Sequence, residues 1–322
     1  MTLAISIIFW ILTAGVLFTT LAPLSGSVQW WVRCWDFPRV HIAVIGMIAV
    51  GLGFWLANFA SIVAGCALLG CILYQASWIY PYTPLATKEV AASVTSAASS
   101  RVSLLSVNVL MENEDHARLQ TLIDREDPDV LLLMEVNDRW EAALEDQLKR
   151  YDTVVRHPLP NHYGMIFATR LPTKSAKMVF LSDDNTPTAF AELEAPGGWF
   201  YFVGLHPKPP IPGTDTDVRD EQIRKTATLA DRTVLPVVAM GDFNDVAWSR
   251  TSRQFKDHGG FRDPRTGRGI LASFNAKSRI MRFPIDQLFL TRGLELVSFG
   301  RLEDIGSDHF PMKTILAVTA RK

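Results

Sequence analysis

The chain has 322 residues, enough for about two domains as a soft prior, with a formal net charge of −1. That balance argues against a broadly basic nucleic-acid binder and against an acidic tail, and a hydrophobic share of 48% excludes a disordered chain. The average conceals a division: among residues 1–87 only Arg33, Asp36 and Arg39 are charged, and all other charges, nearly balanced in sign, follow them.

In chain order, Leu3–Ala22 is an uncharged run rich in Ile, Leu, Phe and Ala, long enough to cross a bilayer core of about 30 Å. It is too long, and lacks the charged start, for a cleaved signal peptide. Val40–Ala60 and Ile62–Ile79 are two further runs, with Asn58 and Ser61 at the turn between them. Runs so closely joined must form a helical hairpin, because backbone in lipid has to satisfy its polar groups internally. Trp30, Trp31 and Trp35 flank the first loop, and Trp78, Tyr80 and Tyr82 close the third run, where aromatic rings suit the headgroup level. Residues 1–80 are therefore expected to be a membrane domain of three transmembrane helices seated in the lipid bilayer. The competing reading is a buried helical core. Arg33 and Arg39 favour a cytoplasmic first loop, and with three spans a cytoplasmic C-terminal domain. Cys34, Cys66 and Cys71 all lie before residue 81, so cysteine usage is silent on compartment.

Residues 81–101 are expected to be a linker. Pro81 and Pro84 end the third run, and Lys88–Arg101, rich in Ala, Ser, Thr and Val, reads as a tether or a first irregular strand. Residues 102–322 then alternate regularly. Ser103–Leu110 is strand-like, and Asn113-Glu114-Asp115 can cap a helix carrying Leu119, Leu122 and Ile123. Asp129–Met134 is an apolar strand, and Asp138–Arg150 a helix with Trp140, Leu144 and Leu148 on one face. Strands are expected at Thr153–Arg156, Met165–Thr169, Ala189–Leu193, Trp199–Leu205, Pro236–Met240, Ile285–Leu290 and Lys313–Val318, with a helix at Asp217–Ala230. This order predicts an α/β fold of two mixed sheets packed face to face with helices outside.

Polar residues stand at the ends of these strands: Asn108, Glu135, His206, Asp242, Asn244, Asp286, and Asp308 with His309 before the last one. Asp242 and Asn244 follow the run Val237-Val238-Ala239-Met240, two apart, so both could project to one side of the sheet. Each residue has a plain alternative, an Asx turn for Asp242 and Asn244 or a helix cap for Glu135. Together, acidic, amide and imidazole groups converging at one sheet edge are what phosphate ester hydrolysis requires.

The segments Ser106-Val107-Asn108, Leu133-Met134-Glu135-Val136, Leu205-His206, Gly241-Asp242-Phe243-Asn244, Pro284-Ile285-Asp286 and Gly306-Ser307-Asp308-His309-Phe310-Pro311 resemble, in order, the motifs of the endonuclease/exonuclease/phosphatase superfamily. The resemblance implies a four-layered α/β sandwich and metal-dependent phosphoester hydrolysis. It implies that Glu135 is the main carboxylate ligand of Mg²⁺, or of Mn²⁺ in its place, with Asn108 beside it and Asp308 near the metal. It implies that Asp242 orients the attacking water with support from Asn244, and that Asp286 holds His309 at the phosphate. His206 is implied as a second imidazole there. Gln287 departs from the His or Tyr common after Asp286, which bears on the leaving-group pocket. His116, His157, His162 and His258 match no motif and read as surface or loop histidines, with His162-Tyr163 a further candidate for substrate contact.

The substrate is not written in the motifs. A nuclease needs a basic footprint, and the densest basic stretch, Arg262, Arg265, Arg268, Lys277, Arg279 and Arg282, is modest and suits an anionic headgroup as well. Three spans hold the domain against lipid, which raises the local concentration of a lipid-linked substrate. The architecture resembles the membrane-anchored branch associated with glycopeptide resistance, implying a polyprenyl diphosphate substrate and an extracytoplasmic catalytic domain. That placement, against the two arginines, is the expectation adopted here. The alternatives are a membrane-tethered nuclease and a binding scaffold without activity.

Overall fold

Three helices follow the three apolar runs. The computed structural model describes residues 2–93, 101–183 and 185–319. Helices α1 (Thr2–Leu21), α3 (Arg39–Leu56) and α4 (Phe59–Ile79) are each long and apolar enough to cross a membrane. They pack together around Phe9, Val16, Ala49 and Leu68, and a short helix α2 (Trp30–Arg33) lies in the first loop. Helix α3 stops at Leu56, short of the expected Ala60, because Ala57 turns left-handed with φ 47°. Asn58 then starts α4: its side chain accepts from the Ser61 N–H at 3.0 Å, and the Ser61 hydroxyl accepts from the Asn58 N–H at 3.2 Å. This reciprocal cap satisfies two donors that a helix start leaves open.

The stretch expected as a linker is held down over most of its length. The Gly267 N–H donates to Pro81 O, Arg268 donates to Val90 O, and Glu89 pairs with Lys256 at 2.7 Å. Ala92 forms a parallel bridge to Leu296, so an irregular first strand describes this end better than a free tether. Residues 94–100 lie outside the described residues.

Eleven strands follow among the described residues: β1 (Arg101–Asn108), β2 (Val130–Met134), β3 (Thr153–His157), β4 (Met165–Thr169), β5 (Thr173–Phe180), β6 (Pro187–Ala195), β7 (Gly198–Leu205), β8 (Val237–Asp242), β9 (Asp286–Leu290), β10 (Leu294–Arg301) and β11 (Met312–Val318). They form a six-stranded sheet in the order β10-β11-β1-β2-β4-β3 and a five-stranded sheet in the order β5-β6-β7-β8-β9. Each is mixed, with β1 parallel to β2 and β7 parallel to β8. Helices α5 (His116–Glu126), α6 (Asp138–Ala143) and α7 (Glu145–Leu148) cover the first sheet, and α8 (Asp217–Asp231) and α9 (Arg250–Gly259) the second. The expected four layers are present.

Side-chain parity explains the layers. In β1 and β2, Val102, Leu104, Leu132 and Met134 enter the core between the sheets, while Leu105, Val107, Leu131 and Leu133 meet α5 and α6. Strands buried on both faces read as unbroken apolar runs. The sheets approach closely at Gly204, where a Cβ would stand 2.7 Å from a Leu132 methyl.

The sequence did not reveal β5, β10 or α9. Strands β5 and β10 are sheet edges, β5 carrying Lys174, Ser175 and Lys177 and β10 a register shift between Leu296 and Ser298. Edge strands are kept polar or bulged, which erases the alternation that marks a strand. Helix α9 buries Phe255 as its one large apolar residue, and starts where Ser249 accepts from the Ser252 N–H at 2.9 Å. The single helix expected at Asp138–Arg150 breaks at Leu144 yet keeps Trp140, Leu144 and Leu148 buried.

Candidate active site

The same parity that builds the core places the polar residues. Asn108 ends β1 in phase with Leu104, Asp242 ends β8 in phase with Val238 and Met240, and Asp286 begins β9 in phase with Leu288 and Leu290. All three therefore project between the two sheets, at the end of the sandwich where the apolar core stops. Glu135 and His206 follow β2 and β7 at this same end, and Asp308 and His309 precede β11. The structure brings all eight expected residues to one end.

The turn after β8 is both an Asx turn and part of the site. The Asp242 carboxylate accepts from the Asn244 N–H at 2.8 Å, with Asn244 left-handed at φ 47°, and the Asn244 amide donates to Pro207 O at 2.8 Å. Gly241, at φ 136°, allows β8 to press on β7: a Cβ there would lie 2.1 Å from Leu205 O.

Asp242 is almost wholly buried between two imidazoles. Its Oδ2 lies 3.7 Å from His206 Nε2 and 3.5 Å from His309 Nε2. His309 in turn donates from Nδ1 to Asp286 at 2.7 Å, under the ring of Phe274. Burial alone would lower the His309 pKa, but the Asp286 and Asp242 carboxylates overcome it and push it up to about 10. Burial raises Asp242 above the usual carboxylate range, with His309 opposing. Burial likewise pushes Glu135 up, but His206, the Asn108 amide and His162 outweigh it and hold Glu135 below that range.

Asn108 stands between the carboxylates. Its Nδ2 donates to Glu135 at 2.8 Å and to Asp242 at 3.1 Å, while its Oδ1 accepts from the Leu110 N–H at 3.1 Å. The amide nitrogen thus ties the two acids together, while the oxygen, with one of its two lone pairs on Leu110, holds the turn after β1. Glu135 and Asp308 both face the cleft, and Asp308 Oδ1 is buried without a partner, an acceptor that a cation would satisfy. An ionised Glu135 and an unpartnered carboxylate oxygen lining the same cleft are donors that suit a hard divalent cation. Glu112, unassigned by the sequence, adds to this side: its carboxylate, that of Glu135 and the His162 ring have ligand atoms within 4.8 Å of one another. No periodicity marks Glu112, which lies in the loop after β1.

His162 and Tyr163 do line the cleft, with His162 Nδ1 3.1 Å from Glu135. His116 stacks edge-on against Trp140, His157 against Phe180, and His258 lies exposed at the end of α9; none reaches the site. Gln287 does not shape the cleft. It is out of phase with Asp286, projects from the other face of β9, and binds Asp245 O at 2.6 Å, Ser252 at 2.9 Å and Arg265 at 3.0 Å.

The cleft holds about 630 Å³, and one wall comes from outside the sandwich: Cys34, Trp35, Phe37 and Pro38, from the loop between α1 and α3. Phe37 packs edge-on against Phe283 at 5.7 Å. The loop is fastened by buried groups. Arg33, 5% exposed, donates to Thr251 at 2.8 Å and lies 3.6 Å from Asp36 and 3.7 Å from Asp245; the Trp248 indole donates to Asp36 O at 2.8 Å. Sequence reasoning missed this wall, since only its tryptophans carried a signal.

Residues 105–309, more than half of the chain, match the model of the endonuclease/exonuclease/phosphatase family. The chain belongs to that family. Endonuclease/exonuclease/phosphatase proteins are metal-dependent phosphoester hydrolases, and this one is such an enzyme by membership. The fold resembles D. rerio TDP2 complexed with a single-strand DNA product, at 16% identity and TM-score 0.57, covering 68% of this chain and 100% of that one. It also resembles the human Nocturnin catalytic domain with bound sulfate, at 16% identity and TM-score 0.56, over 68% of this chain and 94% of that one. A mannosyl-6-phosphatase of Bacteroides thetaiotaomicron is similar at 17% identity and TM-score 0.54, over 67% and 99%. Identities this low carry the fold alone. No curated protein sequence matches the chain.

Proposed function

We propose that this endonuclease/exonuclease/phosphatase protein is a membrane-seated, Mg²⁺-dependent hydrolase of a lipid-linked phosphate ester or diphosphate, of the polyprenyl diphosphate kind. The observation that carries this reading is the shared cleft. Asp242 and His309 open onto the same space as Trp35, Phe37 and Pro38, which belong to the loop between two apolar helices. A substrate with a phosphate at one end and a hydrocarbon chain at the other fits such a wall; a polyanionic strand gains nothing from it.

In this reading His309, held as a cation by Asp286, donates to a phosphoryl oxygen. Asp242 orients the attacking water and takes its proton, its own position set by the Asn244 N–H and the Asn108 amide. His206 stands at the leaving-group side. Mg²⁺ at Glu135, Asp308 and the nearby Glu112 would neutralise charge developing on the phosphoryl group.

The three helices are read as spans. With three spans the first loop and the catalytic domain fall on the same side, in keeping with the contacts of Arg33 and Asp36 to that domain. We place that side outside the cytoplasm. The arginines do not oppose this strongly, since both have structural partners: Arg33 the acids just named, and Arg39 the carboxylate of Asp36 and the amide of Gln75 at 3.0 Å.

The test is a substrate panel in detergent with Mg²⁺ and with chelator. Chelator-sensitive phosphate release from a polyprenyl diphosphate is expected. Cleavage of single-stranded or plasmid DNA with no turnover of the lipid would overturn the lipid reading in favour of a tethered nuclease.

A further inference from the structure

Of the six basic residues between Arg262 and Arg282, four are turned inward. Arg262 donates to Thr291 O and Leu294 O, Arg265 to Asp263, Arg268 to Pro264 O and Val90 O, and Arg282 to Ser278 O. Lys277 and Arg279 are exposed, and they sit at the tip of a small hairpin. Its base is the backbone bridge between Phe274 and Phe283, closed further by the Asn275 N–H donating to Met281 O at 3.2 Å. Beside these two cations the tip exposes Ile280, at 74%, and Met281, at 49%.

Two contacts fix where this tip lies. The Ala276 N–H donates to Asp308 O at 2.7 Å, which roots the hairpin in the strand end that carries His309. At the tip, His41 Nε2 lies 2.9 Å from Ile280 O. His41 is in the first turn of α3, where its apolar run begins, so Ile280 is held at the level where that helix would enter hydrocarbon. Tyr80, directly after α4, and Trp31, stacked at 6.4 Å on Phe18 in the last turn of α1, are both exposed and suit the same level.

Resting on the reading of α1, α3 and α4 as spans, we propose that the hairpin 274–283 is a lip that inserts Ile280 and Met281 into the bilayer surface while Lys277 and Arg279 engage anionic lipid headgroups. Apolar side chains flanked by cations at the headgroup boundary bind by burial plus attraction to acidic lipid. Met281 and Phe283 also line the catalytic cleft. The lip thereby sets the mouth of the cleft at the depth from which a lipid phosphate would enter, and favours a leaflet rich in acidic phospholipid.

The experiment uses full-length protein carrying an environment-sensitive fluorescent amino acid at position 280, in vesicles of phosphatidylcholine with or without phosphatidylglycerol. A second protein carries it in place of Val234, equally exposed at 72% but before β8, at the opposite end of the sandwich. Emission from position 280 is expected to shift to the blue when phosphatidylglycerol is present, and emission from position 234 to stay aqueous. Lys277→Ala with Arg279→Ala should reduce the ratio of inserted to aqueous label roughly 25-fold, two basic residues each acting by about fivefold. Aqueous emission from position 280 in both vesicle types would overturn the lip. A shift indifferent to phosphatidylglycerol and to the double substitution would overturn its anionic partner. An alkaline wash separates the two readings: release of the protein from the vesicles sinks the spanning helices and the lip together, while retention with an aqueous label sinks the lip alone.

Discussion

At the scale of single residues, His309 has the most distinctive chemistry. Its pKa of about 10 lies above the ordinary histidine value near 6.5. A group raised on folding contributes stability that is fully present below about 6.5 and is lost as pH rises through about 10. Activity that needs the cation should therefore fall on the alkaline side near pH 10. In the proposed mechanism Asp242, raised by burial, takes a proton from water, so on the acidic side activity should fall above the usual carboxylate range. Asp286→Asn removes the 2.7 Å partner of Nδ1 and should move the alkaline limb to lower pH. The two residues act as a unit, so Asp286→Asn with His309→Ala should be hardly worse than His309→Ala alone. A double-mutant cycle on kcat, with pH profiles for each variant, measures this; fully additive losses would detach Asp286 from the mechanism.

At the scale of elements, β9 shows how one strand divides its labour. Asp286 and Gln287 are neighbours, yet one is buried behind His309 and accepts from its Nδ1 at 2.7 Å, while the other joins β9 to the turn after β8 and to α9, through Asp245 O and Ser252. The family's common His or Tyr is replaced by Gln287, and this geometry makes the change structural. Gln287→Met leaves buried partners unsatisfied and should cost roughly 2–4 kcal/mol, two or three lost hydrogen bonds at about 1 kcal/mol or more each. Relative kcat/KM values across a substrate panel should stay unchanged. Thermal unfolding reads the first effect and competition kinetics the second. An altered substrate ranking would return Gln287 to the leaving-group pocket.

At the scale of the whole molecule, the apolar helices and the sandwich are not two beads on a string. Tyr82, Trp248, Phe283 and Ile285 form a seam with Phe37, Val40 and Trp78, and Arg33 brings a charge into it. Arg33→Met would leave Asp245 with Arg219, 3.3 Å away, as its remaining close cation. Breaking a buried ion pair costs about 3–5 kcal/mol, and with Arg219 still present the loss should lie near the lower end. Arg33→Lys should rescue little, because a point charge cannot meet Thr251, Asp36 and Asp245 together. Unfolding in detergent measures both, and a lysine variant as stable as the parent would reject this role for the guanidinium. Topology is tested separately. A reporter active only outside the cytoplasm, fused after Lys322, should be active, and activity from a cytoplasmic reporter instead would reverse the placement.

The sequence by itself determined the local features: three apolar runs, the Asn58 and Ser61 turn, the strands buried on both faces, and the polar residues that close them. Period and capping are properties of near neighbours, so they survive in a linear reading. The strand-end placement of Asn108, Asp242 and Asp286 was legible in this way too, and in the structure each is in phase with core residues of its own strand. Only the tertiary structure decided what those groups share. The Trp30 N–H bonds Asp215 across 185 positions at 3.0 Å, and Trp35 and Phe37 enter the cleft by the same long-range packing. It also turned four arginines inward, engaged the Asn108 oxygen, brought Glu112 and His162 to Glu135, and hid two edge strands from pattern. These outcomes depend on which surfaces meet after loops of many residues have closed, and no short window of sequence records that meeting.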